Sequence, residues 1–439
     1  MRRSSRQGIM ALENENLDTP NEELGAAPES LETDLLEVND EAEEAAVDQE
    51  QTDEAVETAE ALESAVLALE SAVQNGGLNA DGAHILDLHV KSLYGRIGMQ
   101  RQSVPALESF GGTSSRQKST QIALEDIKES IKKIWEKIVA AIKSAIQWVK
   151  DRFNKVFGAA EKLQKRAKAL AEKAGATSGT PKEKQLESER LVKSLHIGGQ
   201  VPASLGTQAQ ELNKLANGIF GGVTTWNGKT GDEIVDLLDD PAKLDSFVLP
   251  SFPTGELQTT KAGPDFGDAG NGMQFVVSHE MPGGMAIIGR IPAEGAYKGA
   301  QAVELLGRAG YNIGAHNPKA KAPSKTQVTT LQPSEAEKIA TAVESLAEEL
   351  QSYRRNLDKL TATKEKILKA AEKASKASDN SSDEGESKER TNNKLLAKLG
   401  MAVPKLIDQP AVGFSAYALN TGKAMLDYVE LSLKQYGAK

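Results

Sequence analysis

The chain has 439 residues, 39% of them hydrophobic and 4% aromatic, and carries a formal net charge of −11. That length leaves room for two or three domains and a sizeable core, but so few aromatics imply that part of the chain is not globular. The absence of cysteine excludes disulfides and thiolate metal sites, and the five histidines are scattered, with His84 and His89 about 140° apart if they share a helix.

The start, Met1 to Arg6, is basic but runs into Gln, Gly and acids rather than an apolar segment, so it does not read as a secretory signal. No apolar run reaches the ~18 residues of a membrane span. The expectation is a protein made soluble in a cytoplasm, without cofactor or metal.

Between Arg6 and Lys91 the sequence contains 23 Asp and Glu and no Lys or Arg. Such a block repels itself and stays extended unless it carries apolar periodicity. The first half, to about Gln51, has little and is expected to be disordered. The second half differs, because Ala61 to Val66 (ALESAV) recurs seven residues later as Ala68 to Val73, which places Leu62, Val66, Leu69 and Val73 on one stripe. This predicts a short acidic helix, stopped at Asn75, Gly76 and Gly77. It reads equally as a transient helix in a solvated tail or as a docking helix for a partner. A second helical pattern covers about Ala83 to Gly95.

At Ala106, Leu107, Glu108, Ser109, Phe110, Gly111 and Gly112 the character of the sequence changes, and this small, Gly-containing junction offers a processing protease accessible backbone. Residues 1–108 hold 24 acids and 6 bases, a net of −18, and residues 109–439 hold 39 acids and 46 bases, a net of +7. A cut after Glu108 therefore turns an acidic protein into a basic one. An acidic arm competing for the body's cations would suppress binding to a polyanion, and its loss would switch that binding on.

From Ser119 to about Ala174 apolar residues recur in steps of three or four, starting Leu124, Ile127, Ile131, Ile134, Ile138, Ile142, a stripe of about thirteen helical turns. Gly158 is the expected weak point, at about 1 kcal/mol of propensity relative to Ala. The opposite face is basic, since residues 128–173 contain 13 Lys and Arg against 5 acids. Lys132, Lys133, Lys137, Lys143, Lys150, Arg152 and Lys155 would neutralise DNA phosphates without reading sequence. Three other readings of the same helix stay open. Trp135, Trp148 and Phe153 would let it lie in a membrane interface, a partner's groove could take it, or it is a core-facing helix with a lysine-rich solvated side.

Gly175 to Pro181 is a linker by composition. Short helical patterns follow around Gln185 to Leu195, Gln208 to Phe220 and Asp232 to Leu238. Gln274 to Ser278 and Met285 to Ile291 read as a strand pair joined through Met281 to Gly284, Ala296 to Arg308 as a helix, and Gln327 to Gln332 as a third strand. Asn227, Gly228, Lys229 and Thr230 resemble the end of a phosphate-binding loop, but position 223 is Val where the first glycine is needed, so they are read as a turn before a helix. Asp239, Asp240 and Asp245 read as helix-end and turn acids, and no catalytic constellation occurs. Pro333, Ser334 and Glu337 start a helix of about forty residues carrying Ile339, Val343, Leu346, Leu350, Tyr353, Leu357 and Leu360. Lys373 to Asn393 is low-complexity, expected as a mobile tip, and a last helix at about Val412 to Tyr436 returns antiparallel.

The fold class expected is mainly α, with long amphipathic helices in a bundle or hairpin, a small Gly/Pro-rich α+β middle region and a largely disordered acidic arm. The divisions expected are an arm at 1–108, a processing linker at 109–118, the long helix at 119–174, a linker at 175–184, the α+β region at 185–332 and a helical hairpin at 333–439 with an insert at 373–393.

The junction, the basic helix with Ile134 and Trp135, the helix around Tyr353 and Arg354, and the ending Asn420, Thr421, Gly422, Lys423, Ala424 with Tyr428 and Val429 resemble the internal head proteins of giant tailed bacteriophages. The resemblance implies packaging into the capsid interior with an acidic propeptide, and trimming by a phage prohead protease at Ala or Ser, any residue, then Glu. Ala106 to Glu108 fits that pattern, with cleavage before Ser109, as do Ala11 to Glu13, Ser30 to Glu32, Ala61 to Glu63, Ala68 to Glu70 and, inside the long helix, Ala123 to Glu125. The function expected is a non-enzymatic structural virion protein whose partners are the prohead protease, packaged double-stranded DNA and the capsid shell or head scaffold. The alternatives are a membrane-active or ejected virion protein working through residues 119–157 on host membrane, and a scaffold or capsid-binding protein. Intact mass and N-terminal sequencing of the protein recovered from its native particle should place the N-terminus at Ser109; a chain starting at Met1 or Arg2 would make the arm permanent.

Overall fold

The computed structural model describes residues 54–98, 113–249, 252, 260–261, 266–354, 359–370 and 386–437, less a few isolated positions within them. The chain divides into two compact units, one drawn from residues 40–149 and the other from residue 150 onward. The helices are α1 (64–74, with 58–59 and 61–62 also helical), α2 (Ala80–Arg96), α3 (Thr113–Ala176), α4 (Glu189–Leu195), α5 (Leu205–Asp239), α6 (Gly299–Arg308), α7 (Pro333–Ser352), α8 (361–370) and α9 (Glu386–Leu433). The strands are β1 (Gln185–Glu187), β2 (Thr260–Lys261), β3 (Met273–Val277), β4 (Met285–Pro292), β5 (Gly310–Ala315) and β6 (Gln327–Thr329). The architecture is mainly α with a small sheet region, as the periodicities predict.

The predicted stripe forms a single helix, α3, that runs without interruption through Gly158. Its first part, to Val149, belongs to the first unit and the rest to the second. In the first unit α3 is joined by α1 and α2. In the second, the tail of α3 combines with α5, α7 and α9 as a four-helix bundle, in which α5 and α7 run one way and α3 and α9 the other. The pairings along the bundle fix those directions. Leu331, just before α7, donates its N–H to Ser432 Oγ at 3.1 Å. Gln164 and Glu348 are hydrogen-bonded at 2.9 Å. Gly422 faces Leu163 and Val343, with no room for a larger side chain unless both give way. At the far end Tyr353 stacks on Phe220, 4.3 Å between centroids, and also meets Phe153. Leu163, Ile339, Val343, Leu346 and Val429 are fully buried between these helices, each side chain worth about 1.5–3 kcal/mol of transfer free energy.

A charged cluster pins α9 to α3 and α4. Arg166 reaches Asp427 at 2.8 Å and Glu430 at 2.7 Å, Lys423 reaches Asp427 at 3.1 Å, and Arg190 closes on the same carboxylate. Burial pushes the Asp427 carboxyl up, but Lys423, Arg166 and Arg190 together outweigh it and hold the group below the ordinary carboxylate value.

The four-stranded antiparallel sheet has the order β2-β3-β4-β5, with Val276 opposite Gly289 and Gly289 opposite Tyr311. Gly289 is required there because a Cβ would meet Val276 and Tyr311 at under 3 Å. Gly283 and Gly284 turn the β3–β4 connection with φ of +79° and +69°, backbone that other residues rarely adopt. The sheet and α6 lean on α9, where Tyr417 donates its hydroxyl to Pro282 O at 2.8 Å.

Four expectations are corrected. Residues 185–187 form a strand paired with 327–329, not a helical turn, so the third predicted strand belongs to a separate two-stranded sheet. Residues 208–238 lie in one helix, α5, so Asn227 and Gly228 sit inside it rather than in a turn before a helix. Packing on α7 and α9 holds α5 together despite its glycines. Within the predicted forty-residue helix, α7 ends at Ser352 and Tyr353, whose buried ring lies in the aromatic cluster, is a turn residue, with Arg354, Lys359 and residues 361–370 again helical. Residues 386–393, expected in the mobile tip, open α9 instead. The arm's first half and residues 371–385 lie outside the described residues.

The folded-state carboxyl of Asp427 sits below its unfolded value near ~3.9, so its contribution is complete above that value and is lost as pH falls through the folded-state value. Asp427→Asn should lower stability at neutral pH by about 3 kcal/mol, because it leaves buried cations uncompensated. Denaturant titrations at neutral and acidic pH should show the variant losing less stability on acidification than the wild type.

Candidate functional site

The arm's second half is folded onto the basic helix. Leu62 and Leu69 of α1 are 0% exposed, and Ala59, Ala65 and Val66 share their face. Of the four residues that the seven-residue repeat puts on one stripe, Leu62, Val66 and Leu69 are buried and Val73 is half-buried. From α2 the buried side chains are Ala83, Val90, Leu93 and Tyr94. On α3 the matching stripe is Ala123, Leu124, Ile127, Ile131 and Ile134, all at most 9% exposed. Of the two readings of the acidic helix, the structure shows it docked, with its own chain as the partner.

Polar contacts fix the register. Leu78, between α1 and α2, donates its N–H to Thr120 Oγ1 at 2.9 Å, and Gln117 Nε2 donates to Val73 O at 3.2 Å. Gly77, at φ +90°, lies so close to the start of α3 that a Cβ would collide with the backbone of Arg116 and Gln117. Asn79 caps α2 by accepting from Gly82 N at 2.8 Å. Lys128 forms an ion pair with Glu70 at 2.7 Å.

The predicted phosphate contacts fall on α3, with Lys132, Lys133, Lys137 and Lys155 exposed. Lys133 pairs with Glu129 at 2.8 Å, which raises its pKa through the hydrogen bond and charge of that carboxylate. Lys143, Lys150 and Arg152 lie on the same helix, but their side chains, like those of Trp135 and Trp148, are outside the described set. The docked arm therefore occupies the apolar stripe of α3 and leaves Lys132, Lys133 and Lys137 open to solvent. Lys128, which sequence reasoning passed over, is held by an arm carboxylate; its place on the flank of the stripe was the available signal.

The cleavage residues Ala106, Leu107, Glu108 and Ser109 lie outside the described residues, in the connection between α2 and α3. Asp239 ends α5, and Asp240 caps the following 3₁₀ turn by accepting from Ala242 N at 3.3 Å. A cationic pair that the sequence did not reveal, Arg290 and Arg308, holds the loop before β3: Arg290 donates twice to Ala269 O, at 2.7 and 3.0 Å, and Arg308 to Asn271 O at 3.0 Å. Among the described residues no three His, Asp or Glu are grouped to hold a metal, and no helix is long and apolar enough to cross a membrane.

The sequence model of the phiKZ-like phage internal head proteins matches residues 31–431. No curated protein sequence and no solved structure gives a significant match.

Replacing Leu62 and Leu69 by Ala should cost about 2–5 kcal/mol per site, enough to undock α1. Hydrogen–deuterium exchange should then rise across 58–74 and 117–134 while α7 and α9 stay as protected as in the wild type.

Proposed function

The chain belongs to the phiKZ-like phage internal head proteins, structural components of the virion that lie inside the capsid, and from that membership we propose that a prohead protease matures it after Glu108 and that the basic remainder contacts packaged DNA without reading sequence. The observation that carries the proposal is the division of charge along the sequence, together with the docking of the arm's described helices on α3. Residues 1–108 hold the excess of acid, and their described helices sit on α3 itself, whose exposed Lys132, Lys133, Lys137 and Lys155 form part of a strongly basic segment.

The mechanism is a change of potential rather than the uncovering of a closed site. Because Lys132, Lys133 and Lys137 are exposed beside the docked arm, the arm acts through its negative field and through direct competition at Lys128. At physiological salt a charge is screened over about 8 Å, so acids contribute only when held near the helix, which docking of α1 and α2 achieves. Loss of the arm changes the net charge from −11 to +7. Binding of the remainder to duplex DNA is then governed by counterion release, with affinity falling steeply as salt rises.

DNA binding measured across a salt series should show residues 109–439 binding unrelated duplex sequences equally and far more tightly than the full chain at the same ionic strength. Lys132→Gln, Lys133→Gln and Lys137→Gln together should lower the slope of log affinity against log salt by about 3. Equal binding by the full chain and by 109–439 would sink the charge-switch mechanism.

A further inference from the structure

The contact between arm and basic helix is apolar first and ionic second. Leu62, Val66 and Leu69 on one side and Ile127, Ile131 and Ile134 on the other are buried, whereas one ion pair, Lys128 with Glu70, is seen between α1 and α3 among the described residues. Burial of apolar surface is not screened by salt, unlike attraction between exposed charges. The contacts described in this seam are made by α1, the turn at Gly77, α2 and α3. The Gly77 turn presses on the start of α3 from the arm's side, and Thr120 receives the Leu78 N–H there.

We propose that the α3 surface from Gln117 to Ile134 is a binding site for the arm's own α1–α2 pair as a separate peptide, so that cutting the connection leaves the arm bound and the charge reversal waits for a later undocking step. A cut in the connection creates one new amino and one new carboxyl terminus, so the nicked complex keeps the −11 formal charge of the intact chain. Proteolysis licenses the change of charge, and departure of the arm completes it. The occupant of this surface is set by two features of the arm: an apolar stripe at seven-residue spacing that fits the stripe of α3, and Glu70 placed to meet Lys128. The biological setting rests on the processing reading above, but the binding itself does not.

The test installs a recognition sequence for a site-specific protease directly after Glu108 in the full chain, cuts it, and follows both pieces by size-exclusion chromatography at about 0.15 M and about 1 M salt. The pieces should co-elute at both. Gly77→Val, which keeps every charge, and separately Leu69→Glu should each make them elute apart; both changes lie in the arm, so the remainder is the same molecule in every sample. Separation of the unmodified pieces at both salts overturns the proposal. Separation only at high salt overturns it as well, by assigning the contact to charge, and co-elution unaffected by both substitutions overturns the assigned surface. A native protein found to start at Met1 would instead remove the processing reading and leave the co-elution result standing.

Discussion

The apolar stripe of α3 is the constraint on which the rest depends. A helix of 64 residues whose apolar positions recur every three or four residues cannot leave that stripe in water. Each unit solves the problem with different material. Up to Ile134 the cover comes from α1 and α2, segments of an otherwise acidic arm. From Phe153 onward it comes from α5, α7 and α9, and there Leu163, Ala167 and Leu170 meet a core from which water is excluded. One periodic pattern thus supplies both a permanent core and a face whose cover lies on the far side of a candidate cut.

That division explains why charge and apolar surface are arranged as they are. Had the arm covered the lysines of α3 directly, many ion pairs would have to be desolvated, and such pairs return little free energy. Binding to the apolar stripe instead uses the larger and salt-independent term, and it carries the arm's carboxylates close to the lysines without tying them up individually. Lys132, Lys133 and Lys137 are exposed while Ile131 and Ile134 are buried, so charge and apolar surface are separated around one helix.

Much of this was legible in the sequence because it is periodic. The stripe of α3, the repeat of α1 and the β3–β4 pair all follow from spacing that a single chain displays, whereas the expected capping box of Ser334 and Glu337 does not form, because α7 already starts at Pro333 with Gln332 as an N-cap that makes no side-chain bond. What was missed is what tertiary contacts decide. β5 reads as Gly, Tyr, Asn, Ile, Gly, Ala, with too few apolar residues to announce a strand, and it is one because β4 offers a paired edge from Met285 to Arg290. Two separate helical patterns with a turn at Asn227 and Gly228 were expected where α5 runs, yet the helix is continuous, packed on α7 and α9. Tyr353, at the end of α7, looked like one more stripe residue, and its ring is packed against Phe153 and Phe220. For the candidate site, the lysines and the charge division were visible in composition, but the position of the arm was not, since a repeat shows that a helix has an apolar face and says nothing about what covers it.

Among the described residues, the second unit's bundle packs on side chains of its own helices. Its bundle is closed by its own residues: Leu331 is held at both ends, its N–H by Ser432 and its carbonyl by the Tyr436 hydroxyl at 2.9 Å, and Arg166 is shared between Asp427 and Glu430. Those contacts tie the end of α9 to the segment entering α7, and so fix the sheet region that leans on α9. Loss of α1 and α2 would uncover the stripe between Ala123 and Ile134. Along its length α3 exchanges one set of covering helices for another, so a single apolar stripe serves two cores.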